Sequence, residues 1–469
     1  MKWWLLPLLL WIAVPESDPA SEEEDTARIR AMYDESLTNS QAYRWLDYLA
    51  NEIGGRLSGS PQAAMAVEWS RQVLDTLGLD SVWLQPVMVP HWIRGEKEIG
   101  RYFSPNHYGM EEVNVCALGG SVGTGSAGIT AEVVEVDSYE QLEAFGEDSI
   151  RGRIVFYNTP MEQRHIRTFH AYGGCVGYRW AGAGKASEYG AVGMLLRSLS
   201  HKTDEHPHTG SMAYPEDVAK IPAAAISTLH ADRLSEALKN DPQLRFHLRM
   251  TCDNLPEKLS YNVIGEIKGS EYPDEIILVG GHLDSWDNGD GAHDDGAGCV
   301  QSMEVLRLLQ AIDYQPKRTL RCVLFMNEEN GLRGAKKYAA ESNRKGEYHM
   351  AAIESDAGGF APQGFGISDT LPVIEQIRAW SPLFKPYDIF KFQEGGGGAD
   401  INRLRSQGTT LIGLMPESQR YFDYHHASTD VFEAVNRREL QLGAAAMATL
   451  VYLMDKYGLD KPAVDHDRS

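Results

Sequence analysis

Five short motifs bring together the residue types that bind divalent metals. They are His282 in GHLD, Asp294 and Asp295 in AHDDGAG, Glu328 and Glu329 in NEENG, Asp356 in ESDAG, and His425 and His426 in YHHASTD. Gathered at one place without compensation, these carboxylates would repel one another severely. Bound cations remove that repulsion. The candidate ligands are His282, Asp294, Glu329, Asp356 and His426. Three carboxylates and one hydroxide would neutralise two divalent ions. Mixed imidazole and carboxylate donors favour zinc over calcium, and no register of Asp284–Asp295 fits an EF-hand loop. Asp294 is the natural bridge, since it lies between the two histidine-headed groups in a glycine-flexible loop.

The motifs gain weight from the elements before them. Apolar runs predict strands at Ile276–Val279, Arg321–Phe325, Met350–Ile353, Ile389–Phe392 and Thr410–Leu414. Amphipathic stretches predict helices at Gly298–Ile312, Leu332–Ser342, Leu371–Trp380, Asp400–Ser406 and Arg437–Tyr457. Such alternation implies an α/β fold, a mostly parallel mixed sheet covered by helices on both faces. Ligands of these sheets bind beyond the carboxyl ends of the strands, which is where four of the strands deliver histidine or carboxylate. Taken singly, each motif has a plainer reading. Asp294 and Asp295 could cap the following helix, Glu328 and Glu329 could open one, Asp356 could be a turn residue, and the histidines could be structural. The metal reading rests on their coincidence at one rim.

The remainder of the chain positions this domain. Tyr43–Ile53 and Ala63–Leu77 read as helices, and Val82–Val89 as a strand closed by Pro90. Between about 110 and 250 short β runs and glycine-rich loops predominate, with one helix–strand unit at Ala181–Tyr189 and Val192–Leu196. The partition expected is a signal peptide at 1–20, a discontinuous catalytic domain at 26–108 and 255–460, and an inserted, mainly β domain at 109–254. Lys2 followed by the apolar run Trp3–Val14 is too short to span a bilayer and suits a secretory signal, so the protein is expected to be secreted or exported. A net charge of −22 disfavours nucleic acid and anionic membranes as partners. Five cysteines without a C-x-x-C pair exclude a dense disulfide framework, and Cys299 and Cys322 read as core.

At these residues the chain resembles the di-zinc exopeptidases, a family of zinc aminopeptidases and related carboxypeptidases. The order His282, Asp294, Glu328-Glu329, Asp356, His426 matches the family's. HLDSWD at 282–287, DDGAG at 294–298, ESDAG at 354–358, RLSGS at 56–60 and PHWIRG at 90–95 look like one carboxypeptidase branch of it. RIVFYN at 153–158 and PHTG at 207–210 resemble that branch's protease-associated domain. The resemblance implies two zinc ions held by the five ligands, with Asp294 bridging and Glu328 as general base. It implies Asp284 as the acid that orients His282. His426 is preferred over His425 as the ligand because the pattern wants an acid four residues on, and Asp430 supplies it. His425 stands where several aminopeptidases of the family have tyrosine. It is expected to face elsewhere, toward the substrate carbonyl. Asp400, after the glycine run Gly395–Gly398, is a further supporting or substrate-facing candidate. The implied substrates are short peptides, dipeptides especially, and the branch implies a homodimer.

Other residues of the chain offer competing readings. Gly119–Gly123, GGSVG, matches the serine-hydrolase elbow, but Thr124–Gly128 supplies a loop where a helix is required. His206 and His208 flank Pro207 in a loop of the inserted domain, within reach of the cleft, rather than forming a second metal site. The alternatives to a dipeptidase are an aminopeptidase acting on longer peptides and an inactive peptide-binding relative. A third is a single-zinc acyl-transfer enzyme like the glutaminyl cyclases. Retention of all six metal and base positions argues against the last two.

Overall fold

In the computed structural model, which describes residues 19–106 and 109–461, sixteen strands form two sheets of eight. The expected signal segment lies almost wholly outside the described residues. In chain order the strands are β1 (Ser81–Ile93), β2 (Ile99–Phe103), β3 (Met110–Val113), β4 (Val115–Ala117), β5 (Ile129–Val136), β6 (Ile154–Tyr157), β7 (Gly193–Arg197) and β8 (Ala223–Ile226). They continue with β9 (Arg245–Arg249), β10 (Asp253–Ile267), β11 (Tyr272–His282), β12 (Arg318–Phe325), β13 (Tyr348–Glu354), β14 (Pro362–Ser368), β15 (Lys391–Glu394) and β16 (Thr410–Pro416).

The first sheet has the order β1-β10-β12-β11-β13-β16-β14-β15. Its centre, β12-β11-β13-β16, is parallel; β10 runs antiparallel to β1 and β12, and β14 antiparallel to β16 but parallel to β15. Alternation of side chains along β11 explains the two-sided cover. Ile277 and Val279 pack with Cys299, Met303 and Leu306 of the helix Ala297–Ala311 and with Ala445, Ala448 and Tyr452 of the helix Arg437–Tyr457. Leu278 points the other way, onto Val323, Ala335, Tyr338, Ile401 and Leu404. Leu278 is fully buried, and truncating such a residue to alanine costs about 2–5 kcal/mol. The closing helix starts where predicted because the Asn436 side chain accepts the N–H groups of Arg438 and Glu439.

The structure departs from the sequence reading in several places. β1 runs on through Pro90, with a register shift between Val89 and His91; it is an edge strand, where proline is tolerated. The strand expected at Ile389–Phe392 is displaced to Lys391–Glu394, and β14 was not anticipated. The second sheet, of order β3-β2-β9-β5-β6-β7-β8-β4, begins at Ile99 rather than at 109. It is also less purely β than expected, because β5 to β8 are parallel neighbours and three helices accompany them, Tyr139–Ile150, Thr168–Glu188 and Thr228–Asn240. The helix Thr168–Glu188 starts thirteen residues before the expected Ala181. Gly173, Gly174 and Gly177 conceal its first half, at a cost of about 1 kcal/mol each relative to alanine. Burial of Ala171, Cys175, Arg179 and Ala183 offsets that cost. All five cysteines are buried free thiols. Among the described residues no helix is long and apolar enough to cross a membrane.

Candidate active site

Four adjacent parallel strands end at one rim, and each delivers a candidate ligand there. His282 closes β11, Glu328 and Glu329 follow β12, Asp356 follows β13, and the loop after β16 carries His425 and His426. Asp294 enters from the short turn Ala292–Gly296 ahead of the helix Ala297–Ala311. The Gly298 backbone lies so close to the Ser355 carbonyl that a side chain would collide with it.

The side chains fall into two groups that share Asp294. His282 Nε2 lies 3.2 Å from Asp294 Oδ1 and 3.4 Å from Asp356 Oδ1. His426 Nε2 lies 3.3 Å from Asp294 Oδ2 and 3.2 Å from Glu329 Oε2. A tetrahedron with bonds of about 2.0–2.1 Å to the metal has edges of about 3.3 Å. Hydrogen bonding fixes the imidazole tautomers accordingly. His282 Nδ1 donates to the Asp284 carbonyl oxygen at 2.9 Å, and His426 Nδ1 to that of Thr209 at 3.3 Å. A carbonyl can only accept, so the neutral His282 ring carries its proton on Nδ1 and turns an Nε2 lone pair to the carboxylates, and His426 does the same in the tautomer that donates to Thr209. Lone pairs facing carboxylate oxygens at these distances call for a cation between them. Asp294 Oδ2 and Glu329 Oε1 are buried without hydrogen-bond partners. The residues therefore fit a transition metal of the zinc type.

His425 lines the cavity but does not diverge from its neighbour. It stacks on His426, ring centroids 3.6 Å apart, and its Nε2 is 3.9 Å from Asp294 Oδ2. His426 adopts a left-handed backbone, φ 61°. Distance separates the two rings, since His426 alone reaches Glu329.

Asp284 also differs from expectation. Its carbonyl, not its carboxylate, orients His282. The carboxylate Oδ1 instead accepts the N–H groups of Asn327, at 2.6 Å, and Glu328, at 3.0 Å, pinning the acidic loop. Asp430 touches neither histidine ring of its own loop; it accepts the N–H groups of His293 and Asp294 at 2.7 and 3.1 Å. Asp400 does not line the cavity; it is buried beside Glu354, whose carboxylate accepts the Ile401 N–H at 2.8 Å. Asp295 serves the backbone, its Oδ1 accepting the Gly298 N–H at 2.9 Å in the first turn of the helix and its Oδ2 the His282 N–H at 3.0 Å.

The distant motifs hold the loops. Buried Arg56 of RLSGS donates to the carbonyl oxygens of Leu283, Asp290 and Gly291 at 2.6, 2.8 and 2.9 Å. Ser58 accepts from Asn327 Nδ2 at 2.8 Å. Arg94 of PHWIRG chelates Asp287. The PHTG loop does reach the cleft: His208 pairs with Ala427 in an isolated bridge, and its Nδ1 lies 2.7 Å from the His425 carbonyl oxygen. Ser121 of GGSVG is fully buried and accepts the Ala223 N–H, so it is structural.

In the metal-free chain the electrostatics are unbalanced. Burial, reinforced by Asp294, drives Glu329 well above the carboxylate range. Burial likewise pushes Glu328 up to about 8 despite the opposing pull of His282. Burial, with His425 and Arg179 adding to it, drives His426 far down. A dication restores the ionised carboxylates and neutral imidazoles of a ligand set. Above the cluster lies a cavity of about 540 Å³, lined by Glu328 and Asp356 and walled by Phe169, Tyr172, Tyr421 and Phe422. Tyr172 and Arg179, which sequence reasoning missed, enter it from the concealed half of the helix Thr168–Glu188.

Such a donor set at the rim of a helix-covered mixed sheet belongs to the metallo-exopeptidases. The profile of peptidase family M28 matches residues 262–451. Carboxypeptidase Q of Bos taurus is 36% identical over 418 residues, 88% of this chain and 85% of its own, and that of Homo sapiens is 35% identical over the same shares. A peptidase M28 precursor from Shewanella amazonensis superposes with a TM-score of 0.87 at 34% identity, covering 92% of this chain and 97% of that one. BSAP, a zinc aminopeptidase from Bacillus subtilis, shares the fold with a TM-score of 0.64 at 19% identity, over 89% and 96% of the two chains. This chain belongs to peptidase family M28, and it is a metallo-exopeptidase.

Proposed function

We propose that the protein hydrolyses short peptides, dipeptides foremost, at a site that holds two zinc ions. The observation that carries this reading is the sharing of Asp294, whose Oδ1 lies beside His282 and Oδ2 beside His426, each histidine having a second carboxylate of its own, Asp356 and Glu329. His282, Asp294 and Asp356 would hold one ion, and His426, Asp294 and Glu329 the other. When bound, the ions supply Lewis acidity, acidifying water and polarising the scissile carbonyl. Glu328 is the general base. It lines the cavity beside Glu329, and the Asp284 carboxylate fixes its backbone. It takes a proton as water oxygen bonds to the carbonyl carbon, and returns it to the amine as the C–N bond breaks. A base so placed contributes about 10²- to 10⁴-fold. His425 is held neutral, since burial drives it down to about 3, and it offers an N–H toward the carbonyl oxygen. The second sheet, on this reading a protease-associated domain, completes the cavity and steadies His426 through Thr209. Export is part of the proposal; the apolar run Trp3–Val14 supports it, and the Shewanella relative is a precursor.

The test is hydrolysis of a panel of free, N-blocked and C-blocked dipeptides by zinc-loaded protein. Free dipeptides should be cleaved, and chelation should abolish cleavage. Failure on every dipeptide, with zinc bound, would overturn the proposal.

A further inference from the structure

We infer that Arg179 receives the free α-carboxylate of the substrate, so that the site reads the carboxyl end of a short peptide. This rests on the exopeptidase reading and adds the end that is recognised. Arg179 stands on the helix Thr168–Glu188, contributed by the second sheet, and its side chain forms part of the cavity wall beside His426. It is 8% exposed. A guanidinium so buried ordinarily has a carboxylate partner. Among the described residues Arg179 forms no salt bridge, and its Nε has no hydrogen-bond partner. Nη1 lies 3.3 Å from His426 Nδ1. In the tautomer that leaves Nε2 free for a metal, however, that nitrogen carries a proton directed to Thr209. Two donors then face each other at that contact, and the guanidinium's other side-chain hydrogen bond is to the neutral hydroxyl of Tyr172, which leaves its charge without a carboxylate.

The surroundings are shaped for this group. Its carbon lies 5.5 Å from the centroid of the Tyr172 ring. Gly210 of PHTG, at φ 137°, makes the room, for a Cβ there would come within 2.5 Å of Nη1. Of the other cations on the cavity, Lys336 is engaged with the Gly331 carbonyl oxygen at 2.8 Å, and Arg403 is exposed at the rim. Arg179 is thus the buried cation with spare donors. It lies on the far edge of the His426 ring from Nε2, and a residue spans about 3.5 Å, so a carboxylate one residue beyond the scissile bond falls within its range. Its planar fork matches a carboxylate in two-point geometry, which lysine cannot reproduce. The flanking Phe169, Tyr172 and Trp180 would pack on an apolar or aromatic side chain of the departing residue.

The test compares alanyl-phenylalanine with its C-terminal amide on zinc-loaded wild type, Arg179→Met and Arg179→Lys, with zinc content measured for each. Wild type should favour the free acid in kcat/KM by about 30- to 3,000-fold, the range expected when a buried charge loses its partner. In Arg179→Met this preference should collapse to within about threefold, chiefly through KM, and Arg179→Lys should restore only part of it. An unchanged preference in Arg179→Met, including equal losses on both substrates, would overturn the inference, as would a wild type indifferent to the amide. Should wild type cleave neither peptide, the peptidase reading fails separately. Calorimetry with 3-phenylpropanoate and 3-phenylpropanamide then decides. Tighter binding of the acid, lost in Arg179→Met, supports the receptor, and equal binding of the two overturns it.

Discussion

The Asp430 carboxylate accepts the backbone N–H of Asp294 at 3.1 Å, holding the shared ligand from behind. Its other oxygen accepts the N–H of His293, so one buried side chain fixes two consecutive residues of the Ala292–Gly296 turn. Asp430→Asn would turn an amide NH₂ toward one of these N–H groups. Zinc affinity should fall about 10- to 100-fold, as for other residues that orient metal ligands, with the circular dichroism spectrum retained. Chelator competition measures it, and an unchanged affinity would dissociate Asp430 from the metal site.

Glu328→Gln keeps the side-chain shape and leaves the proposed ligands untouched. Zinc content should stay at the wild-type level while kcat falls at least about 10²-fold. Near-normal turnover in the zinc-loaded variant would remove Glu328 as the base.

His425 and His426 are stacked, yet their substitutions should differ in kind. His426→Ala removes an imidazole 3.2 Å from Glu329 and 3.3 Å from Asp294, and should lose zinc. His425→Ala should keep zinc and lose mainly kcat. Metal analysis beside steady-state kinetics distinguishes them. Zinc loss in His425→Ala alone would show that the ligand is the preceding residue.

His349 gives a pH dependence away from the site. It hydrogen-bonds Tyr338 at 2.7 Å, and burial, with the Arg321 charge adding to it, holds it down at about 3. Its unfolded value is about 6.5. Below that value the unfolded chain binds a proton that the folded chain refuses, so its contribution to stability is lost as pH falls. Between pH 6.5 and 5 the loss from this group is about 2 kcal/mol. His349→Gln should flatten the fall in urea midpoint between pH 7 and 5 relative to wild type. Parallel curves would contradict it.

The rim was legible because β11, β12 and β13 are buried on both faces, which writes them as unbroken apolar runs, and because such strands present ligands at their carboxyl ends. Roles that depend on main-chain atoms were not legible. Asp284 orients His282 through its carbonyl, which any residue there would carry, while its carboxylate serves the acidic loop. Asp430 was chosen for its spacing from His426 and serves Asp294 instead. The helix bearing Arg179 was cut short because three glycines lower local propensity that burial of its other face restores. No local pattern in the Pro362–Ser368 segment announces that it will pair antiparallel with β16.

The central claim is that Asp294 bridges two metal positions. Crystals grown with zinc, and an anomalous difference map recorded at the zinc absorption edge, test it most directly. The map should show two peaks per chain, one among His282, Asp294 and Asp356, the other among His426, Asp294 and Glu329. A single peak, or two peaks that do not both contact Asp294, would contradict the account.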